Sequence, residues 1–161
     1  MTTDEITYTY SDNPAELLGS RRISHLTGRY LTRSRVENSA FAIVAERGDF
    51  TGGIIIGELP WGDVGASWDR HVPNSVELGA LFVDPSFRTS PVAFRLMNLA
   101  VSSAARIGRV PVAATEVGSP VYRYLNRVGA QPRSQYLVDG VAYVPWVLVA
   151  DAQPRHLQTA A

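Results

Sequence analysis

Between Val76 and Met97 the chain reads VELGALFVDPSFRTSPVAFRLM, and this run constrains the fold more than any other part of the sequence. Residues 76–83 are apolar and β-rich, and Asp84-Pro85 stops them, because a residue before proline is held in an extended or turn conformation. Residues 91–106 follow with helical spacing. Arg95, Asn98, Ser102 and Arg106 fall on one stripe, while Val92, Leu96, Met97, Leu99, Ala100 and Val101 cover the remainder, the pattern of a largely buried helix. A strand that passes through a short loop into a helix aims unpaired amide donors and a positive dipole end at whatever lies before the helix. Anions suit that place. Arg88 stands in the loop beside Thr89 and Ser90, giving a guanidinium and two hydroxyls for a pyrophosphate. The plainer alternative is a stability device, with Ser90 capping the helix and Pro91 as its first residue. The local pattern leaves both open.

The rest of the chain supplies the elements that this joint packs on. Residues 5–10 alternate like a strand, and Asp12-Asn13-Pro14 starts a helical stretch over residues 14–33 with a break expected at Gly28. Residues 40–46 and 52–58 are two β-rich runs joined by RGDFT, which predicts an antiparallel hairpin turning at Gly48-Asp49. Residues 59–74 have no periodicity and carry Trp61, Trp68 and His71, a loop longer than the connection requires. A strand over 110–115 follows the helix, and Ser119-Pro120 opens another helix that Gly129 closes. Residues 134–138 and 141–149 pair across Asp139-Gly140, the strongest hairpin signal present. Pro145 places the last strand at an edge or a bulge. The expected fold is α/β of the α+β type, one domain over residues 1–150 with a mixed, mostly antiparallel sheet flanked by helices, and a frayed tail over 151–161.

Composition narrows the chemistry. With 161 residues, 45% apolar, the chain can bury one core and is too short for two. Fifteen acidic residues balance fifteen basic ones, so no global field draws in nucleic acid or an anionic membrane. Every basic residue is arginine, a bias that a GC-rich coding genome also produces. Without cysteine there is no disulfide, no thiolate metal ligand and no thiol nucleophile. His25, His71 and His156 are too scattered for a metal triad, so no metal is expected. The polar N-terminus and the lack of a long apolar run point to a cytoplasmic protein.

LFVDPSFRTSPVA resembles the acyl-CoA signature of the GNAT acyltransferases, in which a strand ending near Val-x-Pro is followed by Arg or Gln, two residues, glycine, one residue, then glycine or alanine. Arg88 and Ala93 match, and Pro91 takes the first glycine position. VPVAATEVGSPVYRYLNRVGAQP resembles the family's fifth strand and next helix, with Arg127, Val128, Gly129 and Ala130 in the places of its closing motif. The resemblance implies acetyl-CoA as acyl donor, held by Leu81, Val83, Arg88, Thr89, Ser90, Val92 and Ala93, and transfer to a primary amine. Proline at 91 would remove one backbone donor. Glu77 matches the position of a general base in many relatives, and a solvent-facing glutamate is its alternative. The family's asparagine and acidic tyrosine fall on Gly118 and Leu125, leaving Tyr124, about 100° around the helix, as the candidate proton donor, with packing as the alternative. Gly79, in mid-strand, suits a bulge or the close approach of a ligand, and alternation puts it on one face with Glu77 and Leu81. The rival readings are a non-catalytic GNAT-like binding or structural module, and a phage Mom-like nucleobase-modifying protein of the same fold, which the neutral net charge disfavours. The expected partners are a small-molecule or protein amine and a second copy of the chain, joined through a last hairpin carrying Tyr143 and Trp146.

Overall fold

The computed structural model describes residues 5–59, 72, 74–88 and 91–148. The chain folds as α/β, with a mixed, mostly antiparallel sheet in the strand order β1-β2-β3-β4-β5-β8-β6 and β7 also pairing β8. Its contacts group into two compact units, Met1–Leu59 with Leu78–Ser103, and Pro60–Glu77 with Ala104–Ala161.

In the first unit, β1 (Thr7–Ser11) pairs antiparallel with β2 (Ser39–Arg47), which turns through Gly48 into β3 (Phe50–Glu58). Three short helices connect β1 to β2: α1 (Pro14–Gly19), α2 (Ser24–Thr27) and α3 (Arg33–Glu37). Asn13 caps α1, accepting from the Glu16 amide at 3.4 Å while its own amide donates to the Glu16 carboxylate at 3.1 Å. The helix expected over 14–33, with a break at Gly28, is corrected to two short pieces, α1 and α2, with a first break at Gly19-Ser20, and α3 begins only at Arg33. Arg21 leaves the helical path to grip Glu46 through Nε at 2.8 Å and Nη2 at 3.3 Å. Charge-assisted bonds of this kind contribute about 1.5–3 kcal/mol, against the few tenths that one more helical residue gains. The helices close over a cluster of Leu17, Leu18, Ala42, Val44, Ile54, Ile56 and Ala80, with Val36 and Phe82 packed against it.

β4 (Ser75–Val83) leads through a 3-10 turn (Pro85–Phe87) to α4 (Val92–Arg106), as the sequence predicts. Phe87, with no exposed surface, lays its ring directly on Gly52, where any Cβ would collide with it. Along α4, Val92, Leu96, Met97, Ala100, Val101 and Ala104 are buried, but Phe94 and Leu99 are exposed, so the apolar face is narrower than expected. Ser103 is buried instead, its hydroxyl donating to the Leu99 carbonyl at 2.7 Å.

In the second unit, residues Ser75–Glu77 of β4 pair in parallel with Val110–Val112 of β5 (Val110–Glu116). α5 (Pro120–Arg127) is capped by Ser119, which accepts from the Tyr122 amide at 3.2 Å. Then come β6 (Gln131–Pro132), β7 (Tyr136–Val138) and β8 (Val141–Val147). Asp139 and Gly140 both have positive φ, 50° and 79°, the requirement of a two-residue hairpin turn whose twist matches its strands. β8 is not an edge strand: it pairs with β5 on one flank and with β6 and β7 on the other. Pro145 lies between the β6 and β7 ladders, where its lack of an N–H costs nothing and its carbonyl accepts from Arg133 at 2.7 Å. Trp146 is buried, with Nε1 donating to the Thr115 hydroxyl at 2.7 Å and its ring against Tyr122 at 5.5 Å. It belongs to the core and lends no apolar surface to a dimer. The tail expected from Asp151, and the tryptophan-bearing loop with Trp61, Trp68 and His71, lie outside the described residues.

Replacing Gly52 by alanine forces Phe87 off the strand, and the expected cost is about 1–3 kcal/mol, read as a lower midpoint in urea unfolding with an unchanged slope. A Gly48→Ala control, in open space but at positive φ, separates steric overpacking from backbone strain.

Candidate active site

The middle of β4 is irregular. Ala80 has φ +51°, a left-handed step that costs a non-glycine residue about 1–2 kcal/mol. It is nevertheless buried and packs with Ile54 and Ile56. A Cβ on the preceding Gly79 would meet only the Arg35 guanidinium, at 3.7 Å, so both residues turn toward the side that α3 covers. Two successive residues on one side define a bulge. The expected alternation, with Gly79 and Leu81 on one face, is thereby corrected, because the bulge resets the period before Leu81. The irregularity anticipated at Gly79 is present, with its strained step one residue later.

Beyond the bulge, the strand delivers Val83 and Asp84 to the turn. Asp84 accepts from the amide and hydroxyl of Ser86 at 2.9 and 2.7 Å, and these bonds, backbone first, hold its carboxyl below the usual range. Its own amide donates to the Gly52 carbonyl at 2.8 Å, tying the turn to β3. Arg88 follows, exposed, with Nε donating to the Val83 carbonyl at 3.2 Å. Among the described residues the two terminal guanidinium nitrogens make no further hydrogen bond. Thr89 and Ser90 lie outside the described residues. The Arg95 amide donates to the Pro91 carbonyl at 2.9 Å, which makes Pro91 the residue before the helix and puts the amides of Val92 and Ala93 in a first turn whose donors the helix itself does not use. Pro91 itself offers no amide at this position, while those of Val92 and Ala93 follow it. Val92 fixes the helix start by burying its side chain, while Ala93 stays exposed and presents little bulk. A guanidinium beside the first amides of a positive helix end is a donor set suited to a diphosphate.

Of the nominated residues, Leu81, Val83, Arg88, Val92 and Ala93 fall in the first unit, and Glu77 and Tyr124 in the second. Glu77 is half-buried and in register with Val112. On α5, Leu125 is a core residue and Tyr124 is half-buried. Burial pushes the Tyr124 phenol above its ordinary value, and Arg127 only partly offsets this. Tyr124 thus keeps its proton at neutral pH, the form a proton donor requires. Tyr122, by contrast, is committed to packing on Trp146.

A second group carries no signal in the local sequence pattern. Arg35 on α3 donates through Nε and Nη2 to one oxygen of Glu58, at 3.0 and 2.8 Å, and lies 4.5 Å over the ring of Tyr30. These contacts join residues 23 apart in the chain, beyond the reach of periodicity. Among the described residues no group of three or more His, Asp or Glu side chains is placed to hold a metal ion, and no helix is long and apolar enough to cross a membrane.

No protein-family model matches the chain, and no curated protein matches it by sequence. Solved structures do match. An acyl-CoA N-acyltransferase from Pseudomonas aeruginosa is 14% identical and superposes with a TM-score of 0.64 over 90% of this chain and all of the other. A GNAT family acetyltransferase from Elizabethkingia anophelis, solved with acetyl-CoA bound, gives 0.63 at 13% identity over 90% and 98%. IAA acetyltransferase from Bacillus cereus gives 0.59 at 13% over 89% and 98%. The chain has the GNAT fold.

Because its folded-state value is raised, Tyr124 opposes unfolding fully below about pH 10, the ordinary tyrosine value, and loses that contribution as pH climbs through the raised one. The difference in ultraviolet phenolate absorbance between wild type and Tyr124→Phe is expected to titrate above that pH. Arg127→Ala is expected to move the titration higher still.

Proposed function

We propose that the protein transfers an acyl group, most simply acetyl, from coenzyme A to a primary amine by direct attack. The observation that carries this reading is the joint between β4 and α4, where Arg88 is anchored on the Val83 carbonyl and a helix begins at Val92, with first-turn amides that the helix itself does not use. Arg88 and the amides of Val92 and Ala93 would hold the pyrophosphate, with Thr89 and Ser90 adding hydroxyls. The backbone amides of Leu81 and Val83 would orient the acyl carbonyl. Acetyl-CoA supplies an acyl group already activated as a thioester. Glu77 would accept a proton at its carboxylate from the acceptor's ammonium, exposing the lone pair that attacks. As the new N–C bond replaces the thioester C–S bond, Tyr124 would donate its Oη proton to the departing sulfur, so that coenzyme A would leave as its thiol. No covalent enzyme intermediate is needed, in keeping with a chain that lacks cysteine, and most of the rate would come from positioning, worth about 7–11 kcal/mol when both reactants are well oriented.

One observation favours a second reading, a binding or structural module of the same fold. Leu125 holds the place of the family's acidic tyrosine and is sealed in the core.

Calorimetric titration with acetyl-CoA separates the two. Micromolar binding by the wild type is expected, weakened about tenfold, or 1.4 kcal/mol, in Arg88→Ala. Pro91→Gly is expected to bind within a few-fold of wild type, because Pro91 precedes the donor amides. Silence from the wild type, with binding gained by Pro91→Gly, would give the lead to the module.

A further inference from the structure

Arg35 and Glu58 form a well-shielded ion pair, with side-chain exposures of 21% and 5%. A pair of this kind is a poor device for stability alone, since desolvating two charges consumes much of what their attraction returns. What it does achieve is orientation. Nε and Nη2 converge on a single Glu58 oxygen, Nη1 reaches the Tyr30 carbonyl at 3.5 Å, and the Tyr30 ring lies against the guanidinium plane. These bonds engage three of the five guanidinium N–H groups, and the Tyr30 side chain also interacts with the guanidinium. The more exposed member of the pair is the cation, so it is Arg35, not Glu58, that a ligand can reach.

The guanidinium borders an open step. Gly79 is only half-buried, and among the described residues nothing except Arg35 Nη2 comes within 4 Å of where its Cβ would stand. No described residue fills the space that a side chain would take, next to a bulge whose Ala80 carries backbone strain. Tyr30 adds an aromatic surface: the residue is 55% exposed, and its ring meets that of Phe82 edge to face at 5.3 Å. A fixed cation, an open backbone step and an exposed tyrosine thus adjoin one another within the first unit. The cation asks for an anion, and the planar fork of arginine matches a carboxylate, with Glu58 already held on another edge.

We propose that Arg35 and the open step at Gly79 bind a carboxylate, and that the acceptor amine is accordingly of the amino-acid class, with its side chain against Tyr30. The identification of this ligand as the acceptor rests on the acyltransferase reading; the carboxylate site itself does not. Tyr30 and Phe82 favour an apolar or aromatic side chain on the same molecule.

The test uses direct binding without acetyl-CoA, so that it does not depend on turnover. L-phenylalanine and its decarboxylated counterpart phenethylamine are titrated calorimetrically into the wild type, Arg35→Gln, Arg35→Lys and Gly79→Val. Wild type is expected to bind phenylalanine at least about tenfold more tightly, the increment of one good charge-assisted contact. That preference should fall to within about twofold in Arg35→Gln and be only partly kept by Arg35→Lys, which retains the charge and loses the fork. Gly79→Val fills the step, with its Cβ in ordinary contact with Arg35 Nη2 at 3.7 Å, and keeps the arginine itself, so it should also abolish the preference and the proposal stays testable even if Arg35→Gln does not fold. Equal binding of the two probes by the wild type, or binding of neither, overturns the proposal, as does a preference that survives both Arg35→Gln and Gly79→Val. A carboxylate preference together with failure to bind acetyl-CoA in the separate titration supports the site and counts against the acyltransferase reading.

Discussion

The ring of Phe87 lies flat on the bare backbone of Gly52, and the rest of the first unit is arranged around that contact. Phe50 meets the ring edge at 5.7 Å, and the Arg47 guanidinium sits 4.9 Å from its centre. The adjacent hydrogen bond from Asp84 to the Gly52 carbonyl fixes the turn in the same place. A loop carrying a charged residue would ordinarily be among the most mobile parts of a domain. Here a fully buried aromatic, contributing about 2–3 kcal/mol of transfer free energy, sits immediately before the charged residue. The direction in which Arg88 and the first amides of α4 point follows from an apolar contact on the other side of the loop.

The three helices between β1 and β2 depend on long-range fastening in a similar way. None is long enough to persist by itself, because nucleation outweighs the few hydrogen bonds that four to six residues can make. Arg21 on Glu46, His25 against the Thr51 carbonyl at 3.0 Å, and Arg35 on Glu58 each pin one turn to the hairpin of β2 and β3. The arginines hold local structure and, at position 35, also present donors beside β4. One interaction therefore serves both packing and recognition.

Local physics made the fold legible and left the site only half legible. The two hairpins, the β4 strand and α4 could be read because turn residues and hydrophobic period act over a few positions, as at Asp139-Gly140. The helical stretch over 14–33 was misread because its first break is set by Glu46, 25 residues away. Trp146 looked like an edge residue because the Thr115 hydroxyl and Tyr122 ring that enclose it arrive from other elements. Arg88 could be found from its place between a strand and a helix. Arg35 could not, since nothing in its neighbourhood distinguishes it from Arg33, whose pair with Glu37 lies exposed on the surface. The left-handed step at Ala80 gave no sign beyond the glycine before it.

Pro145 has a consequence for how the second unit assembles. It occupies the one stretch of β8 that faces neither the β6 nor the β7 ladder, so the strand can dock in only one alignment without setting the missing N–H opposite a carbonyl that needs it. A slip by one position would forfeit that bond and turn Trp146 outward. The proline thus adds a backbone constraint on the register of β8 to the one that burial of Trp146 imposes.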